Sequence, residues 1–247
     1  MRILTLDLET SPSVAHVWGL FKQNIALSQL RESTRVISFA AKWHGSKQVG
    51  FSSDFHSGHE VMVKEAWDLL NEADAIVHYN GTTFDMPLLN REFLLAGLAP
   101  PSPYKNIDLL RVARSRFRFV SNKLDYVSQQ VGLKGKTHHE GHMLWGKCMA
   151  GDERAWAMMR KYNKQDVVIT EQLYDILLPW IEGHPNPALY SGAVNNPVCQ
   201  RCGSDKLTKQ GFAYTQLAVY QQWKCGKCGS WSRSARREFG VDVRGTA

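Results

Sequence analysis

Four of the chain's five cysteines fall in two matching knuckles, Cys-Gln-Arg-Cys-Gly at 199–203 and Cys-Gly-Lys-Cys-Gly at 225–229, with 22 residues between Cys202 and Cys225. Two C-x-x-C pairs at that spacing suit four thiolates around one tetrahedral ion, which makes Cys199, Cys202, Cys225 and Cys228 the ligands of a small metal-centred ribbon. Gly203 and Gly229 allow the tight turn that brings backbone N–H groups towards sulfur. One Zn²⁺ is the expected ion. Iron in a rubredoxin-type site uses the same knuckles, but nothing else here points to electron transfer. Cys148 stands alone in the sequence and reads as a small buried hydrophobe.

Charge divides the chain at the same place. Residues 199–247 hold nine Lys or Arg against three acids, so they carry +6 of the chain's +7 and leave residues 1–198 near neutral. A neutral body with a basic end points to an acidic polymer, above all nucleic acid, as partner. Between the two lies Glu-Gly-His-Pro-Asn-Pro-Ala-Leu-Tyr-Ser-Gly-Ala-Val-Asn-Asn-Pro-Val, rich in Pro, Gly and Asn, which reads as a linker. The expected organisation is a body at 1–182, a linker at 183–198, a four-cysteine ribbon at 199–235 and a basic tail at 236–247. No run of about 18 apolar residues suggests a membrane span, and acids follow the first apolar residues too soon for a secretory signal. A cytoplasmic protein is expected.

The body has the hydrophobic content of a globular protein, the whole chain being 43% apolar. Residues 2–9 look like a buried strand, 35–43 and 47–53 like two more joined across 44–46, and 74–80 like another. Helical patterns occupy 59–73, 86–98 with Pro87 in the first turn, 108–116, 123–131 and 152–178, the last closed by Pro179. Strands come first and helices interleave afterwards, which predicts an α/β fold with a mixed sheet flanked by helices.

The acids then fall on particular faces. Asp7 and Glu9 are two apart on the first strand and share a face, while Leu4, Leu6 and Leu8 point to the other. Two adjacent carboxylates raise each other's pKa unless a cation lies between them. Asp85 precedes the helix that Pro87 opens, where an N-cap role is the plain reading. Asp166 and Tyr162 sit four apart, inside the apolar stripe of Trp156, Met159, Ile169, Leu173 and Leu177.

Asp-Leu-Glu on the first strand, Asn-Gly-Thr-Thr-Phe-Asp-Met-Pro-Leu-Leu after a later strand, and Tyr-Asn-Lys-Gln-Asp on a late helix resemble the three motifs of the DEDD, or DnaQ-like, 3′–5′ exonucleases, which have the RNase H-like fold. The histidine branch would carry His five residues before the last Asp, where this chain has Lys161; Tyr162 lies four before it, as in the tyrosine branch (DEDDy). The second motif is similar to that of family B polymerase proofreading domains. The stretches at 121–133 and 148–156 further resemble the YprB-like family of bacteria and phages. The resemblance covers about residues 1–180. It implies that Asp7, Glu9, Asp85 and Asp166 hold two Mg²⁺ or Mn²⁺, while Tyr162 orients the attacking water. Cleavage would release nucleoside 5′-monophosphates from single-stranded 3′ ends, with DNA favoured and RNA open. A polymerase or other replication or repair partner stays open as well.

Candidate nucleic-acid contacts are Asn80, Arg116, Arg118, Trp231, Arg233, Arg236 and Arg237. Arg111, Arg114, Arg116 and Arg118 interleave with Phe117 and Phe119, a composition suited to phosphates and bases, although a solvated helix face explains it as well. His138, His139 and His142 read as a surface loop, Asp108 as a helix cap and Asp125 as a surface acid. Two other functions fit the residues: a non-catalytic ribbon protein that binds nucleic acid or acts as an adaptor, and an RNase H-like endonuclease.

Overall fold

The computed structural model describes residues 1–135, 140–192 and 197–244. The chain forms two compact units, Arg2–Leu173 and a second that begins at Tyr174. The strands of the first are β1 (Ile3–Thr10), β2 (Val14–Ala15), β3 (Leu30–Glu32), β4 (Val36–Trp43), β5 (Gly50–Ser53), β6 (Ala75–His78) and β7 (Lys105–Asp108). Its helices are α1 (Asp54–Ser57), α2 (His59–Glu72), α3 (Asp85–Leu95), α4 (Leu109–Arg116), α5 (Leu124–Gln130) and α6 (His142–Met149), followed by α7 (Glu153–Leu177), which runs on past the division. Among the described residues, no helix is long and apolar enough to cross a membrane.

Five strands make the central sheet in the order β5-β4-β1-β6-β7. β4 and β5 pair antiparallel on one side of β1, while β6 and β7 continue parallel on the other. The sheet is mixed because the hairpin needs only a short connection, whereas each parallel strand is reached through a helix.

The alternation in β1 decides the layers. Leu4, Leu6 and Leu8 enter a core with Met62, Val63, Ala66 and Leu70 of α2 and Met86, Leu89 and Phe93 of α3. The opposite face is covered by α7, which meets the sheet through Asn163 on Asp7 and Ser38 and the Lys42–Glu171 ion pair, among other contacts. The four steps along the strand from Ser38 to Lys42 span about 13 Å, and the eight steps along the helix from 163 to 171 about 12 Å. α7 therefore runs alongside β4, in step with it. Its expected stripe is buried, from Trp156 at 1% exposure through Met159, Tyr162, Asp166 and Ile169 to Leu173. Asp152 starts the helix by accepting from Arg154 N and Ala155 N.

Several elements of the first unit escape the sequence reading: β2, β3 and α1 as well as β7 and α6. β7 has one strongly apolar residue, Ile107, and owes its place to parallel pairing with β6. α6 begins at His142, which is therefore the start of a helix and not part of a loop; His138 and His139 lie outside the described residues. Cys148, on α6, is buried, and Asp108 caps α4 by accepting from Leu110 N.

The second unit has a one-turn helix, α8 (Ala188–Ser191), and strands β8 (Leu207–Tyr214), β9 (Ala218–Cys225), β10 (Trp231–Arg233) and β11 (Phe239–Gly240). β9 is central: β8 pairs along one edge, and β10 and β11 share the other. Within the stretch expected as linker, His184 is buried, with its ring stacked on Tyr174 and Nε2 2.7 Å from the Tyr174 hydroxyl.

Candidate active site and metal centre

β1 brings Asp7 and Glu9 to its C-terminal end, half-buried, on the face covered by α7. Asn163, fully buried, holds Asp7 in place: its Nδ2 donates to Asp7 Oδ2 at 2.7 Å and to the Asp7 carbonyl at 3.2 Å. Ser38 Oγ lies 3.5 Å from Asn163 Oδ1. A bulge beside these residues adds one residue to β4, since Glu9 pairs with Ser38 while Thr10 pairs with Val36. The extra residue, Ile37, packs on Trp156 and Met159 of α7, next to Ser38 on the same face.

Asp85 arrives from the other side of the sheet. It is the first residue of α3, and its Oδ1 accepts from Leu8 N at 3.1 Å, between Asp7 and Glu9 in the chain. This corrects the N-cap expectation: the N-cap position is Phe84, and the carboxylate reaches across 77 residues of sequence to β1. Asp85 is 4% exposed. Burial pushes its carboxyl up to about 7, against the opposing hydrogen bond from Leu8 N–H, and the charge of Asp108 adds to the rise.

The loop that delivers Asp85 is firmly braced. Asn80 takes a left-handed φ of 71°, and Asp108 accepts from Asn80 N at 3.0 Å and Thr82 N at 3.4 Å. Gly81 N donates to His78 Nδ1 at 3.0 Å. A Cβ on Gly81 would stand 2.5 Å from His78 Cγ, so only glycine fits against that buried ring.

Asp166 and Tyr162 come from α7 on the sheet-facing side, with Asn163 between them and at i−3 from Asp166. Asp166 is 1% exposed. The Tyr162 ring lies in a cluster with Ile37, Leu144, Cys148, Trp156 and Met159, edge-on to Trp145 at a centroid distance of 6.2 Å. Direct contacts thus tie Asp85 to β1 and Asp7 to α7. Asn163, one residue after Tyr162, was not singled out from the sequence; its position inside the buried stripe was the available signal.

The four cysteines of the second unit do come together, with their sulfurs all within 4.8 Å of one another. Cys199 and Cys228 Sγ are 3.6 Å apart, and Cys202 and Cys225 Sγ 3.7 Å. Four thiolates about 2.3 Å from a tetrahedral ion would be separated by about 3.8 Å, close to the separation of these two pairs. The knuckles match turn for turn. Arg201 N and Lys227 N each point at the preceding sulfur at 3.4 Å, and Gly203 and Gly229 take φ of 72° and 77°. Ser230 Oγ lies 3.1 Å from both Cys199 and Cys228 Sγ.

The remaining candidates are scattered. Arg116 and Arg118 are exposed around the tilted Phe117–Phe119 pair. Asn80 is exposed, but its side-chain oxygen accepts from Thr83 Oγ1 at 3.0 Å. Trp231, Arg233, Arg236 and Arg237 are exposed on the ribbon. Tyr220 and Lys224 are not among the sequence candidates, yet Arg233 lies over the Tyr220 ring and Lys224 over that of Trp231.

A family model described as the RNase_H superfamily matches residues 27–178. No curated protein matches the sequence. The matched segment contains Asp85, Tyr162 and Asp166, while Asp7 and Glu9 precede it.

Proposed function

The chain belongs to the RNase H superfamily, whose members are usually nucleases or hydrolases, and from that premise we propose that residues 1–182 are a metal-dependent 3′–5′ exonuclease of the tyrosine DEDD type. In this reading residues 183–198 are a linker, 199–235 a zinc ribbon and 236–247 a basic tail. The observation that carries it is the bond from Leu8 N to Asp85 Oδ1, which sets a buried third carboxylate beside the paired acids of β1.

The donor set fits divalent cations. Asp7, Glu9, Asp85 and Asp166 offer only hard carboxylate oxygens, the chemistry that Mg²⁺ and Mn²⁺ prefer. Asp85 is a buried acid whose charge burial disfavours, and a cation would offset that cost. When bound, two such cations would stabilise the attacking and leaving oxygens of phosphodiester hydrolysis. The chain's own residues do the rest: the four acids hold the cations, Asn163 keeps Asp7 in one rotamer, and the Tyr162 hydroxyl orients the attacking water.

The test uses 5′-labelled DNA and RNA oligonucleotides with Mg²⁺ or Mn²⁺, resolved on a ladder gel. Shortening one nucleotide at a time from the 3′ end is expected, with 3′-blocked and circular substrates left intact. Cutting of circles would make the chain an endonuclease. No cleavage in either metal would leave a binding protein. Tyr162→Phe keeps the ring and removes the hydroxyl, so the single-turnover rate should drop by up to about 10²-fold. A full-rate Phe variant would remove Tyr162 from the mechanism.

A further inference from the structure

The central strand of the ribbon sorts its side chains by parity. Val219, Gln221, Trp223 and Cys225 face one way, and Trp223 is bound there through Nε1 to Ser234 Oγ at 3.0 Å. Tyr220, Gln222 and Lys224 face the other way. Antiparallel partners share a face, so Trp231 opposite Lys224 and Arg233 opposite Gln222 join them. This second face carries two aromatic rings, each covered by a cation of the chain. Lys224 Nζ lies 5.5 Å from the Trp231 centroid, and Arg233 Cζ lies 4.2 Å from that of Tyr220. Trp231 is 45% exposed, Lys224 and Arg233 are exposed, and Tyr220 and Gln222 are half-buried.

We infer that this face is a stacking platform for single-stranded nucleic acid, with Tyr220 and Trp231 each taking one base while Lys224 and Arg233 turn onto the flanking phosphates. Every base has a π-face, so such stacking tolerates any sequence. Residues 199–247 carry a formal +6, which complements a polyanion. Tyr220 and the position opposite Trp231 are four residues apart on β9, about 13 Å, so the rings serve different bases. The inference rests on nucleic acid being the substrate and extends that reading to which ribbon residues grip the strand.

The test is fluorescence anisotropy of the full chain with a labelled 12-nucleotide oligo(dT) or oligo(U), without added divalent metal so that binding is read apart from cleavage. Tyr220→Ala and Trp231→Ala should each weaken binding by roughly 5- to 150-fold, while Tyr220→Phe and Trp231→Phe stay within about twofold. Lys224→Gln and Arg233→Gln should each lower the salt slope by about 0.7. Alanine variants that bind like wild type, or Phe variants as weak as the alanine ones, would overturn the platform. So would equal binding of a polyglutamate peptide, which would mark the face as a protein dock. Absence of cleavage beside intact, ring-dependent binding would sink the exonuclease reading alone; ring-independent binding beside normal cleavage would sink the platform alone.

Discussion

Asp85→Asn should stabilise the metal-free protein, and the gain should grow with pH. The substitution keeps an oxygen for Leu8 N–H and removes the charge. In the folded chain the carboxyl is pushed from 3.8 to about 7. Between those values the native state keeps a proton that the unfolded state has lost, so stability falls as pH rises through the interval and is level above it. One pKa unit is about 1.4 kcal/mol, which makes the full cost of the charge roughly 4 kcal/mol; relaxation around the folded carboxylate trims this to roughly 2–4 kcal/mol. For a chain of this size, that is about 4–16 °C in melting temperature. Thermal melts of wild type and variant between pH 4 and 8.5, without added metal or chelator, should converge at the acid end and diverge up to about pH 7. Added Mn²⁺ should then raise wild type more than the variant. Parallel curves across the whole range would show that Asp85 ionises as an ordinary carboxylate, and the argument for a cation at this position would lose its basis.

Other perturbations probe the surroundings. Asn163→Ala removes one donor to the Asp7 carboxylate and carbonyl, so urea unfolding should show a loss of roughly 1.5–3 kcal/mol, with weaker Mn²⁺ binding by titration. Gly81→Ala drives a methyl into the His78 ring and should cost roughly 1–3 kcal/mol in the same assay, with slower cleavage because the loop before Asp85 must shift. Elemental analysis should find one Zn²⁺ per wild-type chain and markedly less in Cys202→Ser, whose ribbon should become protease-sensitive; an iron signal would change the ion.

The residues differ in how openly they announce their places. Leu4, Leu6 and Leu8 alternate with Asp7 and Glu9, so a period of two was enough to separate the faces of β1. The cysteines were readable because a tetrahedral site imposes its own spacing on the chain. Asp85 was readable as a helix-start residue but not as a partner of Leu8, since a contact across 77 residues leaves no local trace. The bulge at Ile37 is equally silent, because it arises where two strands fall out of step and neither strand shows it alone. Trp223 and Trp231 look alike in sequence, and only the pairing of β9 with β10 assigns them to opposite faces.

The matched pitch of α7 and β4 also limits how this gene can change length. Asn163 grips β1 at Asp7, and two turns later Glu171 meets Lys42 while accepting from Gly45 N at 3.2 Å. One codon gained or lost between 163 and 171 would swing everything downstream by about 100° around the axis. The acid at 171 would then leave its lysine, or the asparagine and Asp166 would leave the sheet. Homologous chains should therefore conserve the length of this interval even where its residues drift, whereas the exposed connection at 17–25 is free to grow or shrink.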